Sequence, residues 1–138
     1  MRTVSGKMGG GVLLALVSLG LGTMPAGALM APEYYERARN SATDVIVLKV
    51  GGVTAPSEPF GYCQVKGTVE KVERGTNYAG GTTVDIAVPC RQPGAKTPMG
   101  PVIYISLPDL QTYPFGRAYL MPDGRLSLYQ YRPLKVFP

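Results

Sequence analysis

The chain contains no histidine and no tryptophan, only two cysteines in 138 residues, and nine acidic residues against fourteen basic ones. Each shortage narrows the chemistry. Without histidine no side chain has an ordinary pKa suited to proton shuttling near neutrality, and the usual zinc ligand is missing. Ser-His-Asp and Cys-His nucleophile arrangements go with it. Cys63 and Cys90 have 26 residues between them, so there is no Cys-x-x-Cys redox pair. Glu70 and Glu73 form a local acidic pair, but Lys71 and Arg74 share their strand end, which reads as a solvated rim. Asp85 and Asp109 have no evident second acid. Gly51-Gly52 and Gly80-Gly81 lack the lysine and helix start of a phosphate loop. The expectation is a non-enzyme with no catalytic residue, metal or cofactor.

What is present begins with an address. Met1–Lys7 carries two cations and no acid, and Met8–Ala31 carries no charge. The apolar centre, Val12–Leu21, is followed by Pro25-Ala-Gly-Ala28, small residues in the spacing of a cleavage site. This is the three-part layout of a secretory signal. A cut is expected after Ala28, with Ala31 as the second choice. An uncleaved anchor is the rival reading, because 24 uncharged residues reach across a bilayer. The six glycines, the proline and the Ala-x-Ala site favour the signal. Residues 1–28 are thus read as a signal peptide and 29–138 as one small β-barrel domain, periplasmic or secreted, meeting the membrane only through the signal segment.

Removing Arg2 and Lys7 leaves 12 basic and nine acidic residues, a surplus of three. That keeps a small domain soluble and does not point to nucleic acid. Two cysteines in an exported chain read as one disulfide, with two free thiols as the alternative. Such a bond contributes about 3–4 kcal/mol on the chain-entropy account.

Alternation at period two marks the strongest pair of strands. Cys63, Val65, Gly67 and Val69 form one inward set; Val84, Ile86, Val88 and Cys90 form another. Between them lies the turn-rich Arg74–Gly81. Pairing Val69 with Val84 also sets Cys63 opposite Cys90. Val72 breaks the alternation, which predicts a bulge near Glu70-Lys71.

Elsewhere, Pro32–Thr43 predicts a short helix with Tyr34, Tyr35, Ala38 and Ala42 on one face. Val45–Val50 predicts a strand buried on both faces and ended by Gly51-Gly52. Arg91–Pro101 is a loop, Val102–Leu107 a strand, and Leu110–Gly116 irregular. Ala118–Met121 and Arg125–Tyr131 flank Pro-Asp-Gly124, which fits a type I turn with glycine in the left-handed position. Arg132-Pro133 is expected to end the last strand.

The class is therefore mainly β: a small five- to six-stranded antiparallel barrel, OB-like, with one short N-terminal helix. Val69–Gly75, Gly81–Ile86, Cys90, Gly116–Leu120 and Asp123–Leu128 follow one another in an order that resembles the netrin-type OB modules of tissue inhibitors of metalloproteinases. The resemblance covers residues 44–131 and implies a barrel fold. Those inhibitors ligate a metal through an amino-terminal cysteine, which neither expected mature terminus supplies.

Nine tyrosines remain to be explained, several crowded into the last third near Arg117, Arg125 and Arg132. If Leu126 and Leu128 face the core, Tyr129 and Tyr131 face outward. Tyr129, Tyr131, Arg117 and Arg125 are accordingly the candidate binding residues, with rings that simply cover a small core as the alternative. The expected function is an exported, non-catalytic module that binds an envelope or extracellular protein. A protease-inhibitor-like module and a glycan or cell-wall binder are the other readings.

Overall fold

The computed structural model describes residues 30–138, so the expected signal segment and its Ala28 cleavage site lie outside the described residues. Helix α1 (Pro32–Ser41) starts with proline in its first turn, where the missing N–H has no partner to lose. Of the expected face, Tyr35 is buried and Ala38 half-buried. Ala42 is buried too, but it follows the helix in extended conformation, and Tyr34 is exposed with its ring turned to Arg37. The guanidinium of Arg74 donates to the carbonyls of Arg39, Asn40 and Ala42, and so caps the end of the helix.

Six strands follow: β1 (Asp44–Thr54), β2 (Phe60–Arg74), β3 (Thr83–Arg91), β4 (Ile105–Ser106), β5 (Phe115–Leu120) and β6 (Leu126–Leu134). They form one sheet in the order β4-β3-β2-β1-β5-β6. The sheet is mainly β and curls into a half-barrel. It differs from the expected antiparallel barrel in two ways. β4 pairs parallel to β3, and the edge strands β4 and β6 do not pair with each other.

The inner face collects Ile46, Leu48, Val65, Val69, Ile86, Val88 and Leu120 into one core. Each such side chain removed from water contributes about 1.5–3 kcal/mol. Val45 and Val47 are also buried, on the other face of β1, as the double-sided apolar run of that strand implied.

Bulges bend the sheet. Along β1–β2 the pairing skips Glu73, then Glu70, and then Gly51 on β1. The skip at Glu70 is the predicted bulge, and it returns Val72 toward the core after Val69. The skip at Gly51 shows why β1 does not end at Gly51-Gly52: an edge-free strand absorbs the glycine as an extra residue and runs on to Thr54.

The β2–β3 register differs from the expected one by two residues. Gly67 faces Val84, Val65 faces Ile86, Cys63 faces Val88 and Cys90 faces Gly61. The ladder ends in a bulge at the turn: Gly81, at φ +89°, donates to the Val69 carbonyl while Val69 donates to the Thr82 carbonyl, so Gly81 and Thr82, just before β3, both oppose Val69. A shift of two leaves every side chain on its face. The disulfide therefore forms as expected, but diagonally, with 5.7 Å between the Cα atoms of Cys63 and Cys90.

Only Ile105 and Ser106 of the expected Val102–Leu107 strand are extended. The chain then enters a second helix, α2 (Leu107–Thr112), where a strand end and an irregular stretch were expected. Ser106 caps it by accepting from the Asp109 backbone N–H at 3.3 Å, with Pro108 in the first turn. Strand β6 likewise runs through Pro133, which an edge strand tolerates.

Candidate binding groove

The β5–β6 hairpin turns as its sequence requires. Gly124 donates to the Met121 carbonyl and takes φ +87°. Beyond the turn the alternation fails. Leu126 pairs with Leu120 and Tyr131 with Ala118, so the four residues Ser127–Gln130 lie opposite Tyr119 alone. Leu128 and Tyr129 absorb the excess with φ of +45° and +61°. Two successive left-handed residues, neither glycine, cost on the order of 1–2 kcal/mol each.

This bulge overturns the expected exposure of Tyr131. Its ring is buried against Gly116, where any Cβ would collide with the Tyr131 hydroxyl. Burial pushes that phenol well above its ordinary pKa. Ser127 and Gln130 are buried too, but toward α1: the Ser127 hydroxyl donates to the Ala38 carbonyl, and Gln130 Oε1 accepts from Arg39 at 2.7 Å.

Leu126, Leu128 and Tyr129 are left half-buried, and they form one wall of a groove. Met121 and Arg125 extend that wall at the turn. The facing wall is the outer face of β2 and β3, with Tyr62, Gln64, Ala87 and Pro89. The groove encloses about 610 Å³ and is mostly apolar. Tyr62 is 54 % exposed and Met121 39 %, large apolar groups that no other part of the described residues covers.

Two polar groups enter this apolar setting. Among the described residues, the Gln64 amide makes no hydrogen bond. Arg125 is held by Asp123, which accepts from its Nε at 2.7 Å and from its backbone N–H at 3.0 Å. Those bonds keep the Asp123 carboxyl below its usual range, the backbone N–H being the larger influence. The terminal nitrogens of Arg125 stay free of hydrogen bonds among the described residues, on a side chain 78 % exposed.

Of the four expected binding residues, the structure brings Tyr129 and Arg125 together and separates the others. Tyr131 is in the core. Arg117 lies on the outer face of β5 and makes a bidentate pair with Glu73 at 2.6 and 3.0 Å. The hydrogen bond from Arg117 lowers the Glu73 pKa, against a smaller opposing effect of burial. Tyr62 and Gln64 were legible as outward positions beside Cys63 but carried no signal of a facing wall. Leu126 and Leu128 read as core positions, because a bulge made by ordinary residues leaves no mark in the sequence.

Among the described residues, no group of three or more acidic, cysteine or histidine side chains is placed to hold a metal ion. No helix of the described residues is long and apolar enough to cross a membrane. The fold and groove define a mainly β half-barrel with a lateral apolar cleft. No family model, curated protein or solved structure matches the chain.

Proposed function

We propose that the protein is an exported, non-catalytic binding module that holds an extended segment of an envelope or extracellular protein in this groove. The observation that carries the reading is the groove itself: apolar, open along one side, and walled by a strained bulge that displays Leu128 and Tyr129. Strain in non-glycine residues concentrates where structure serves binding. The Gln64 amide, without a hydrogen bond among the described residues, offers donors and an acceptor together, which suits a peptide backbone. Aliphatic Ala87, Leu126 and Leu128 suit apolar side chains.

The disulfide supports an oxidising compartment, periplasmic or extracellular. The position of the groove supports the OB-type reading. Partly open OB barrels bind ligands on the face of strands 2 and 3 beside the loop joining strands 4 and 5. Here β2 and β3 supply one wall, and the fifth long strand with the turn that precedes it supplies the other. A nucleic-acid ligand is disfavoured, since among the described residues Arg125 is the one cation lining the groove and single strands are held by charged tracks. A glycan remains the second reading, because Tyr62 and Tyr129 both present rings.

The test replaces Tyr62 with a photo-crosslinking phenylalanine analogue in the exporting cell, with Tyr34 as the control site. Protein adducts at position 62 and none at 34 are expected. Adducts at 34 alone, or glycan retention by the purified protein that Tyr62→Ala abolishes, would replace this reading.

A further inference from the structure

We infer that the segment held in the groove carries a carboxylate beside its apolar residues, and that Arg125 receives it; this rests on the groove being the binding site. Among the described residues that line the groove, Arg125 is the one charged side chain. Asp123 pairs with it through Nε. The carboxylate engages Nε and the backbone N–H, and among the described residues the two terminal nitrogens make no hydrogen bond. A guanidinium held in this way is already oriented for a bidentate carboxylate.

The neighbouring geometry sets the order of the contacts. Met121 and Leu126 flank Arg125 in the hairpin, and Leu128 and Tyr129 continue along the wall. An extended segment laid along it meets the cation first and the leucines and tyrosine next. Gln64 faces from β2 and can bond the backbone between them. The recognised chemistry is thus an acidic residue followed by two or three apolar ones at alternate positions, the spacing that one face of an extended chain presents. A basic residue at the same place would meet Arg125 in a partly apolar setting and be rejected.

Selection from a displayed library of random decapeptides tests this, using the purified protein with its disulfide intact. Wild-type protein is expected to enrich peptides with Asp or Glu next to alternating apolar residues. Arg125→Gln should weaken a selected acidic peptide about fivefold, the scale of an exposed ion pair. Arg125→Glu should shift the enriched set toward Lys and Arg. Both variants change an exposed side chain, and unaltered urea midpoints confirm the fold. Peptides that bind wild type and both variants equally, yet lose binding in Tyr62→Ala, would overturn the carboxylate and leave the groove standing. Peptides indifferent to Tyr62→Ala and Leu128→Ser would remove the groove as well. No enriched peptide, with retention of a glycan instead, would overturn the inference outright.

Discussion

The hairpins β2–β3 and β5–β6 both turn on a left-handed glycine, Gly81 in one and Gly124 in the other, yet they build opposite kinds of surface. In β2–β3 the ladder runs unbroken from Thr68 and Thr83 to Phe60 and Arg91. Its inner residues are pinned by the disulfide, and its outer residues follow by simple alternation. In β5–β6 the ladder is interrupted by four residues against one, and two of those four carry positive φ. The regular hairpin supplies a stiff floor, and the irregular one lifts Leu128 and Tyr129 over it. The groove takes one wall from each kind of hairpin, the regular outer face of β2–β3 and the bulged segment of β6.

The strongest way to break that comparison is to attack what anchors each hairpin. In β5–β6 the anchor is Tyr131, whose ring fills the space over Gly116. Tyr131→Ala should cost about 3–5 kcal/mol, as truncation of a buried aromatic does, read from urea unfolding. A loss below about 1 kcal/mol would mean that the bulge does not depend on this ring. In β2–β3 the anchor is the disulfide. Cys63→Ser should cost about 2–5 kcal/mol, the usual range for a small exported domain. Two free thiols titrated in the unfolded, unreduced protein would refute the bond itself.

These hairpins also mark how far the sequence was legible. Period-two alternation placed Cys63, Val65, Val69, Ile86 and Val88 inward, and the structure agrees. The register lies two residues from the expected one, and a slip of two is invisible to any argument from faces. At Ser127–Gln130 the same argument failed outright. Nothing in Ser-Leu-Tyr-Gln announces positive φ; tertiary demands, the Ser127 and Gln130 bonds to α1 and the Tyr131 seat, impose it. Helix α2 was legible in principle, since Ser106, Pro108 and Asp109 are start signals, but the apolar run before them looked like strand. The groove needed three dimensions, for its two walls lie on strands that are not neighbours in the sheet.

A sharper test of the contrast asks which small residue each hairpin prefers. At a positive φ glycine is free of the Cβ penalty, so Tyr129→Gly should be more stable than Tyr129→Ala by about 1–2 kcal/mol. Leu128→Gly and Leu128→Ala should show the same order. At Gln64, in the regular hairpin, the order should reverse, Ala exceeding Gly by about 0.5–1 kcal/mol. Thermal or urea midpoints of the six variants decide it. If alanine wins at both 128 and 129, the left-handed pair is not what shapes the groove wall.

The smallest expected effect concerns the link between the hairpins. Glu73, at the end of β2, and Arg117, on β5, reach across β1 on the face that carries Val47, since Val47 pairs with Lys71 on one side and Arg117 on the other. The pair is partly exposed, so it is worth at most about 1 kcal/mol. Its signature is the pH dependence. Arg117 lowers the Glu73 pKa below its ordinary 4.5, so the folded carboxylate holds its charge to lower pH than the unfolded one. The stabilisation is therefore fully present above the unfolded value and is lost as pH falls through the lowered folded value. Glu73→Gln should destabilise slightly at pH 7, and the gap to wild type should close as the pH drops below about 4.5. Salt at 1 M should narrow the same gap at neutral pH. A gap that stays constant down to pH 3 would show that Glu73 serves through packing over Val47, and that the two hairpins are joined by β1 alone.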